Sequence, residues 1–194
     1  MRSCLALPLL LLAAPVAADP AQDRATAAFS AIYAEACVMA FAPDGSLIEP
    51  PVRHAVQMPV TWSDPVPVTV WEFFCLMGAY NRQTVFLLQS DQAGLVPLTL
   101  ARPALDIVTE DPEDPDSPLR EVKIAGWEAS PFAVNAVFDP ATGVLEENSL
   151  WRGLGDASHL GRWRLVDDML RLTQFDVDAS YDGQENRVPL VHLP

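Results

Sequence analysis

Basic side chains are scarce in this sequence. Lys and Arg together number 12 against 26 Asp and Glu in 194 residues, and the formal net charge is −14. Nucleic acids and anionic membrane surfaces repel such a chain, so the charge argues against both as partners. The same balance favours either a well-solvated exported protein or one that is attracted to a cationic partner.

Catalytic and cofactor-binding patterns are lacking as well. The three histidines, His54, His159 and His192, are far apart and have no metal-ligand spacing, which argues against a zinc site. Gly153-Leu-Gly155 lacks the third glycine of a dinucleotide-binding loop, and no Gly-x-Ser-x-Gly elbow of a hydrolase occurs. The sequence therefore predicts no cofactor and no recognisable catalytic constellation.

The N-terminal segment Met1–Ala18 has the pattern of a secretory signal peptide. Arg2 supplies the positive start, Leu5–Ala14 is an apolar run too short to span a bilayer, and Val16–Ala18 gives small residues for cleavage. Cleavage near Ala18 leaves about 176 residues, enough for one domain over 19–194, with no membrane span. This pattern predicts a periplasmic or secreted protein.

Only three cysteines occur, and Cys4 lies within the predicted signal peptide. The remaining pair, Cys37 and Cys75, is predicted to form a disulfide, since the exported compartment is oxidising. A bridge of this span contributes about 3–4 kcal/mol in the chain-entropy model. Two free buried thiols are the alternative.

The hydrophobic pattern predicts a mainly β domain with one helix. Apolar residues recur at helical spacing over Asp19–Phe41. Val68–Met77 is a nearly continuous apolar run, which indicates a strand buried on both faces, with the helix covering one of them. Shorter alternating runs elsewhere predict an antiparallel meander that forms a small barrel or sandwich, with the N-terminal helix packed on it.

The clearest strand and turn pattern lies in Val134–Gly183, where four short strands are predicted. Asp139–Gly143 contains Pro140 and Gly143 at turn positions and predicts a hairpin. Asp167-Asp168 predicts a second turn between two strands of alternating polarity.

Two acidic stretches are candidate calcium sites, because they supply the oxygen ligands that Ca²⁺ prefers. Glu110–Asp116 holds five acids and two prolines and is predicted to be an exposed, irregular loop. Asp178, Ser180 and Asp182 place oxygen atoms at alternate positions before a glycine, as in the first half of an EF-hand loop, but Pro189 stands where a bidentate Glu is required. A solvated turn is favoured over a calcium site in both stretches.

Arginines cluster in the second half of the chain. Arg152, Arg162, Arg164 and Arg171 are predicted to pair with carboxylates across strands, each exposed pair contributing about 0–1 kcal/mol. The alternative is a ligand patch for an anionic group, formed by Trp151, Arg152, Asp156, Trp163 and Arg164.

Three segments together resemble a known family of exported proteobacterial proteins. Trp71–Asn81, Phe138–Leu145 and Arg152–Asp156 followed by Trp163 are similar to the domain-of-unknown-function family numbered 1176, over most of the chain after Ala18. Many members carry cysteines where this sequence has Ala157 and Ser180, which is what a lost disulfide would leave. The resemblance implies location and class, and no activity.

These observations favour a non-enzymatic, exported binding or interaction protein. A narrower alternative is an acidic inhibitor of a cationic protein such as lysozyme. Cleavage removes Arg2 and leaves 11 basic against 26 acidic side chains, and a charge near −15 would speed that association. A hydrolase of the cell envelope is the disfavoured alternative.

Overall fold

Two β-sheets packed face to face form the body of the protein, and one helix covers the outer face of the first sheet. The computed structural model describes residues 19–114 and 117–193. Over these residues the helix α1 spans Pro20–Tyr33, and a single 3-10 turn spans Val38–Ala40. The strands are β1 (Val52–Val60), β2 (Ser63–Met77), β3 (Arg82–Ser90), β4 (Gly94–Pro97), β5 (Leu100–Thr109), β6 (Leu119–Ser130), β7 (Phe132–Val134), β8 (Val137–Asp139), β9 (Val144–Leu150), β10 (Ser158–Val166), β11 (Met169–Asp178) and β12 (Val188–His192).

The first sheet has the order β1-β2-β3-β4, with β7 also paired to β3. The second sheet has the order β6-β5-β11-β10-β9-β8, with β12 also paired to β11. Strand pairs are antiparallel except β5 with β11, which meet in parallel at Leu100 and Leu170. The predicted mainly antiparallel β class is confirmed. Within the described residues neither sheet closes into a barrel, so the architecture is a sandwich.

The prediction that Val68–Met77 is buried on both faces is confirmed as far as Cys75, whereas Met77 is 46% exposed. Alternate residues of β2 and β3 point to opposite sides. Val70 and Phe86 face the second sheet in the main core, whereas Phe73 and Leu87 face the helix in a second core. Phe29 of α1 stacks on Phe73 with ring centroids 4.4 Å apart.

The helix is shorter than predicted. Asp19 caps it by accepting a hydrogen bond from the backbone N–H of Ala21 at 2.9 Å, and it ends at Tyr33 rather than at Phe41. The chain then leaves helical geometry, with φ −104° and ψ 48° at Cys37. This change of course brings Cys37 to Cys75, and the predicted disulfide is confirmed.

Strand β2 begins earlier than predicted and includes Pro65 and Pro67. Both prolines lie in the part of β2 that pairs only with β1, because pairing with β3 starts at Thr69. A proline has no N–H for a second neighbour, so this one-sided stretch tolerates it.

Strand β6 is one of the edges of the second sheet among the described residues, and it carries two β-bulges. The pairing register with β5 shifts between Ala104 and Leu105 and again between Val108 and Thr109, which leaves Ala125 and Arg120 of β6 as extra residues. The acidic segment joins β5 to β6, and its described residues 110–114 form no strand or helix, as predicted.

No helix in the described ranges is long and apolar enough to cross a bilayer. The predicted signal peptide, residues 1–18, lies outside the described residues.

Candidate functional site

Four connecting segments, one from each of four strand ends, meet at one end of the sandwich. They are residues 78–81 after β2, 135–136 after β7, 151–157 after β9 and 179–187 after β11. We call this region the loop end. It brings together three of the five residues predicted as a ligand patch, together with the two acidic positions of the Asp178–Asp182 turn.

Two asparagines join the sheets at the loop end. Asn135 Nδ2 donates to Asn81 Oδ1 at 2.9 Å and to the carbonyl of Asn148 at 3.0 Å. Asn135 Oδ1 accepts from the backbone N–H of Arg82 at 2.8 Å, and Asn81 Nδ2 donates to the carbonyl of Leu150 at 2.7 Å. Asn135 holds a left-handed backbone, φ 45°, which asparagine tolerates better than most residues. These bonds fix the segments on either side of the sandwich relative to each other.

The segments that carry the family resemblance also touch here. The Tyr80 hydroxyl donates to the carbonyl of Trp151 at 3.2 Å. A Cβ added at Gly153 would lie 3.5 Å from the Tyr80 ring, so the glycine loop lies in contact with that ring.

Arg152 and Asp156 form an ion pair inside this loop. Arg152 Nε donates to Asp156 Oδ1 at 2.7 Å, and Nη2 donates to Oδ2 and, at 2.8 Å, to the carbonyl of Tyr181. Asp156 is buried and also accepts from the N–H of Gly183 at 2.8 Å. The Arg152 hydrogen bonds, with those from backbone N–H groups, hold the pKa of the Asp156 carboxyl far below its usual range. A carboxylate held this way is charged at neutral pH and braces two loops.

A buried charged network lies behind the loop end. Glu147 is fully buried and accepts hydrogen bonds from Arg102, from the N–H of Val134 at 2.7 Å and from His159 Nε2 at 2.8 Å. Trp151 Nε1 donates to His159 Nδ1 at 3.1 Å. Because an indole N–H only donates, Nδ1 is the acceptor and Nε2 carries the proton. Both ring nitrogens of His159 are therefore engaged.

The structure separates the five residues of the predicted ligand patch. Trp151, Arg152 and Asp156 lie together at the loop end. Trp163 is fully buried in the main core, where its Nε1 donates to the carbonyl of Ala101 at 2.9 Å. Arg164 lies on the outer face of the second sheet, directly across from Arg171 on β11. Trp163 and Arg164 lie on β10 rather than in the loop, and they point to opposite faces because they are neighbours on a strand.

The predicted pairing of the arginine cluster is found in part. Arg152 pairs with Asp156 and Arg171 with Asp167. Arg162 pairs instead with Glu146 on β9 at 2.7 Å, its cross-strand neighbour.

The Asp178–Asp182 segment borders a groove of about 410 Å3 with Ser117, Tyr181 and Asn186 among its lining residues. The Asp178 carboxylate is buried and accepts from the N–H of Ser180 at 3.0 Å, from its hydroxyl at 2.6 Å and from the N–H of Asn186. Its oxygens thus shape the loop. Within residues 19–114 and 117–193, no three His, Cys, Asp or Glu side chains are grouped so that they could hold a metal ion.

Sequence reasoning overlooked Glu147 and Trp62. Glu147 stands between Leu145 and Ser149 on the inward face of β9, so its alternation with buried residues was the available signal. Trp62 lies in the turn between β1 and β2, at the end of the sandwich opposite the loop end, and is 95% exposed. No local pattern distinguishes an exposed turn tryptophan from a core one.

No family model, curated protein or solved structure matches this chain. Its function must follow from the chemistry of its own residues.

Proposed function

We propose that this chain is a non-enzymatic, exported interaction protein that binds a cationic protein. The observation that carries the proposal is the way its charges are distributed. Within residues 19–114 and 117–193, eight Arg and Lys side chains lie in ion pairs with the protein's own carboxylates: Arg53, Arg82, Arg102, Lys123, Arg152, Arg162, Arg171 and Arg187.

Because acidic side chains outnumber basic ones, this pairing still leaves an excess of negative charge. With 26 acidic side chains against 12 basic ones, the unneutralised charge is negative. A field of one sign raises the association rate of an oppositely charged protein and weakens with salt. Inhibition of a cationic enzyme such as lysozyme is one form that this interaction takes.

Export is part of the proposal. The signal-peptide pattern of residues 1–18 and the Cys37–Cys75 disulfide support a periplasmic or secreted location, where disulfides persist. The proposal also includes membership of the family numbered 1176, on the strength of the sequence resemblance alone.

Hydrolysis of envelope material has less support. His159 has both ring nitrogens occupied, by Trp151 and by Glu147, so it has no free nitrogen to take a proton from a substrate. Asp156 is held as a carboxylate by Arg152, which disfavours it as a general acid.

Binding of the mature domain, residues 19–194, to immobilised lysozyme tests the proposal. Biolayer interferometry at increasing salt should show an association rate that falls steeply, because screening removes the steering. Succinylated lysozyme, whose lysines have become acidic, is the matched control and should not bind. A panel of cationic proteins that all fail to bind at low salt would contradict the proposal.

A further inference from the structure

Trp62 is the most exposed large apolar side chain described in the protein, at 95% of its free area. Tryptophan side chains are normally largely buried, and tryptophan is among the residues that contribute most to binding energy at protein interfaces. Its position at the turn between β1 and β2 projects it from the end of the sandwich opposite the loop end.

The turn that carries Trp62 is fixed to the other sheet. The N–H of Thr61 donates to Asp167 Oδ1 at 2.8 Å, and its hydroxyl donates to Asp167 Oδ2. The N–H of Asp167 in turn donates to the carbonyl of Pro59 at 3.2 Å. A hairpin turn held by three such bonds is preorganised, so little conformational entropy remains to be lost when a partner covers Trp62.

The surroundings of Trp62 are acidic. Three of the turns at this end of the sandwich, at residues 61–64, 139–143 and 167–168, contain four aspartates and no Lys or Arg. Asp167 is paired with Arg171, whereas Asp64 and Asp168 lie in no ion pair with any described residue.

A small cavity lies beside these turns. It measures about 270 Å3 and is lined by Leu98, Asp168 and Met169 among others. Met169 is 55% exposed, whereas Asp168 Oδ1 is buried and accepts no hydrogen bond from any described residue. The cavity thus combines apolar walls with a carboxylate, which suits the aliphatic stem and charged head of a lysine or arginine.

We propose that Trp62, Asp64, Asp168 and Met169 form the docking surface for the cationic protein partner. Trp62 is the anchor that packs against the partner, and the carboxylates face its lysines and arginines. This inference rests on the proposed function and locates it on the molecule.

The charge also decides against other occupants. A second copy of this chain would bring a like-charged surface against the same aspartates, and an anionic membrane would be repelled in the same way. A basic protein surface is the occupant that complements both the carboxylates and the aromatic side chain.

The test compares Trp62→Ala with Trp127→Ala. Trp127 lies on β6, outside the four residues of the docking surface, and is 59% exposed, so its removal tests whether the loss of any exposed tryptophan weakens binding. With lysozyme and cytochrome c as probes, we expect Trp62→Ala to raise the Kd at least about tenfold and Trp127→Ala to change it less than about twofold. Asp64→Asn combined with Asp168→Asn should slow association and flatten its salt dependence.

The outcomes separate the two proposals. Salt-sensitive binding by the unmodified domain with equal affinity for both tryptophan variants would overturn the docking surface and leave the proposed function standing. Failure of the unmodified domain to bind either probe would overturn both. Self-association, or binding to anionic vesicles, that is lost in Trp62→Ala would overturn the assignment of a cationic protein as the partner at this surface. Equal thermal unfolding midpoints for the two variants establish that the fold is intact.

Discussion

Asn135 donates a hydrogen bond from Nδ2 to Oδ1 of Asn81, 2.9 Å away, and this contact joins the two sheets at the loop end. Each asparagine also bonds to backbone groups, so the pair replaces the strand pairing that neither sheet can offer at its end. The stability of the fold should therefore depend on side-chain contacts of this kind.

Replacement of Asn135 should separate two contributions to the free energy of unfolding, that of its side-chain hydrogen bonds and that of its left-handed backbone. Asn135→Ala loses the hydrogen bonds and places alanine at φ 45°, a backbone conformation that alanine tolerates less well than asparagine does. We expect a loss of about 2–4 kcal/mol in the free energy of unfolding. Asn135→Gly loses the same bonds but tolerates the backbone, so it should be about 1 kcal/mol less destabilised. Urea unfolding measures both, and equal losses would contradict the backbone contribution.

Glu147 and its neighbour Glu146 offer a matched comparison. Glu147→Gln removes the buried negative charge that faces Arg102, and we expect a loss of about 3–5 kcal/mol because a buried cation is left without its counter-charge. Glu146→Gln breaks only the exposed pair with Arg162, for about 0–1 kcal/mol. Urea unfolding at neutral pH measures the difference, and similar losses would mean that the buried pair is solvated.

Asp156 should make stability depend on acid. Its pKa is lowered in the folded protein relative to the unfolded chain, so its stabilising contribution is complete above the ordinary value of 3.8 and is lost as the pH falls toward the lower folded pKa. The gap in unfolding free energy between the unmodified protein and Asp156→Asn should therefore narrow on acidification from pH 7. Arg152→Ala removes the main cause of the low pKa of Asp156. In that background, the gap in unfolding free energy caused by Asp156→Asn should narrow less on acidification. A gap that stays constant with pH would contradict this assignment.

Gly161 should not tolerate a methyl group. A Cβ at this position on β10 would lie 2.1 Å from Cη2 of Trp163, so the buried indole would have to move. We expect Gly161→Ala to cost about 2–3 kcal/mol. Gly126→Ala on β6 is the control, because nothing lies within 4 Å of its Cβ and the change should be neutral or slightly stabilising. Thermal unfolding compares the two, and equal midpoints would refute the close packing.

The disulfide should contribute strongly to stability. Cys37 and Cys75 are 38 residues apart and both are buried against the helix. Replacement of both by alanine should lower the free energy of unfolding by about 3–4 kcal/mol. Chemical unfolding of the double variant beside the unmodified domain measures this, and an unchanged midpoint would contradict the constraint.

The sequence predicted features that depend on residues near one another in the chain. The Asp139–Gly143 and Asp167-Asp168 turns and the two-sided burial of Val68–Cys75 were accessible, because turn chemistry and side-chain periodicity are local. The Cys37–Cys75 pair was accessible because only two cysteines follow the predicted signal peptide. The end of α1 at Tyr33 was not, since the run of alanines remains compatible with a helix and the disulfide determines the exit.

The site depends on residues far apart in sequence, and it was predicted only in part. Arg152 and Asp156 are four residues apart, and their pairing could be expected. The contact of Asn81 with Asn135 spans 54 residues and depends on how the two sheets stack. The single parallel contact between β5 and β11 is equally remote, and the hydrophobic pattern does not specify which strands become neighbours.

The bulges of β6 bear on how other molecules can approach the protein. A free strand edge ordinarily accepts an added strand, because its N–H and C=O groups repeat at a regular interval. The extra residues Arg120 and Ala125 break that interval twice within twelve residues, so an incoming strand would lose register before its ladder became long. Backbone pairing along β6 is therefore limited to short stretches, and a partner that approaches this edge must recognise it mainly by side chains.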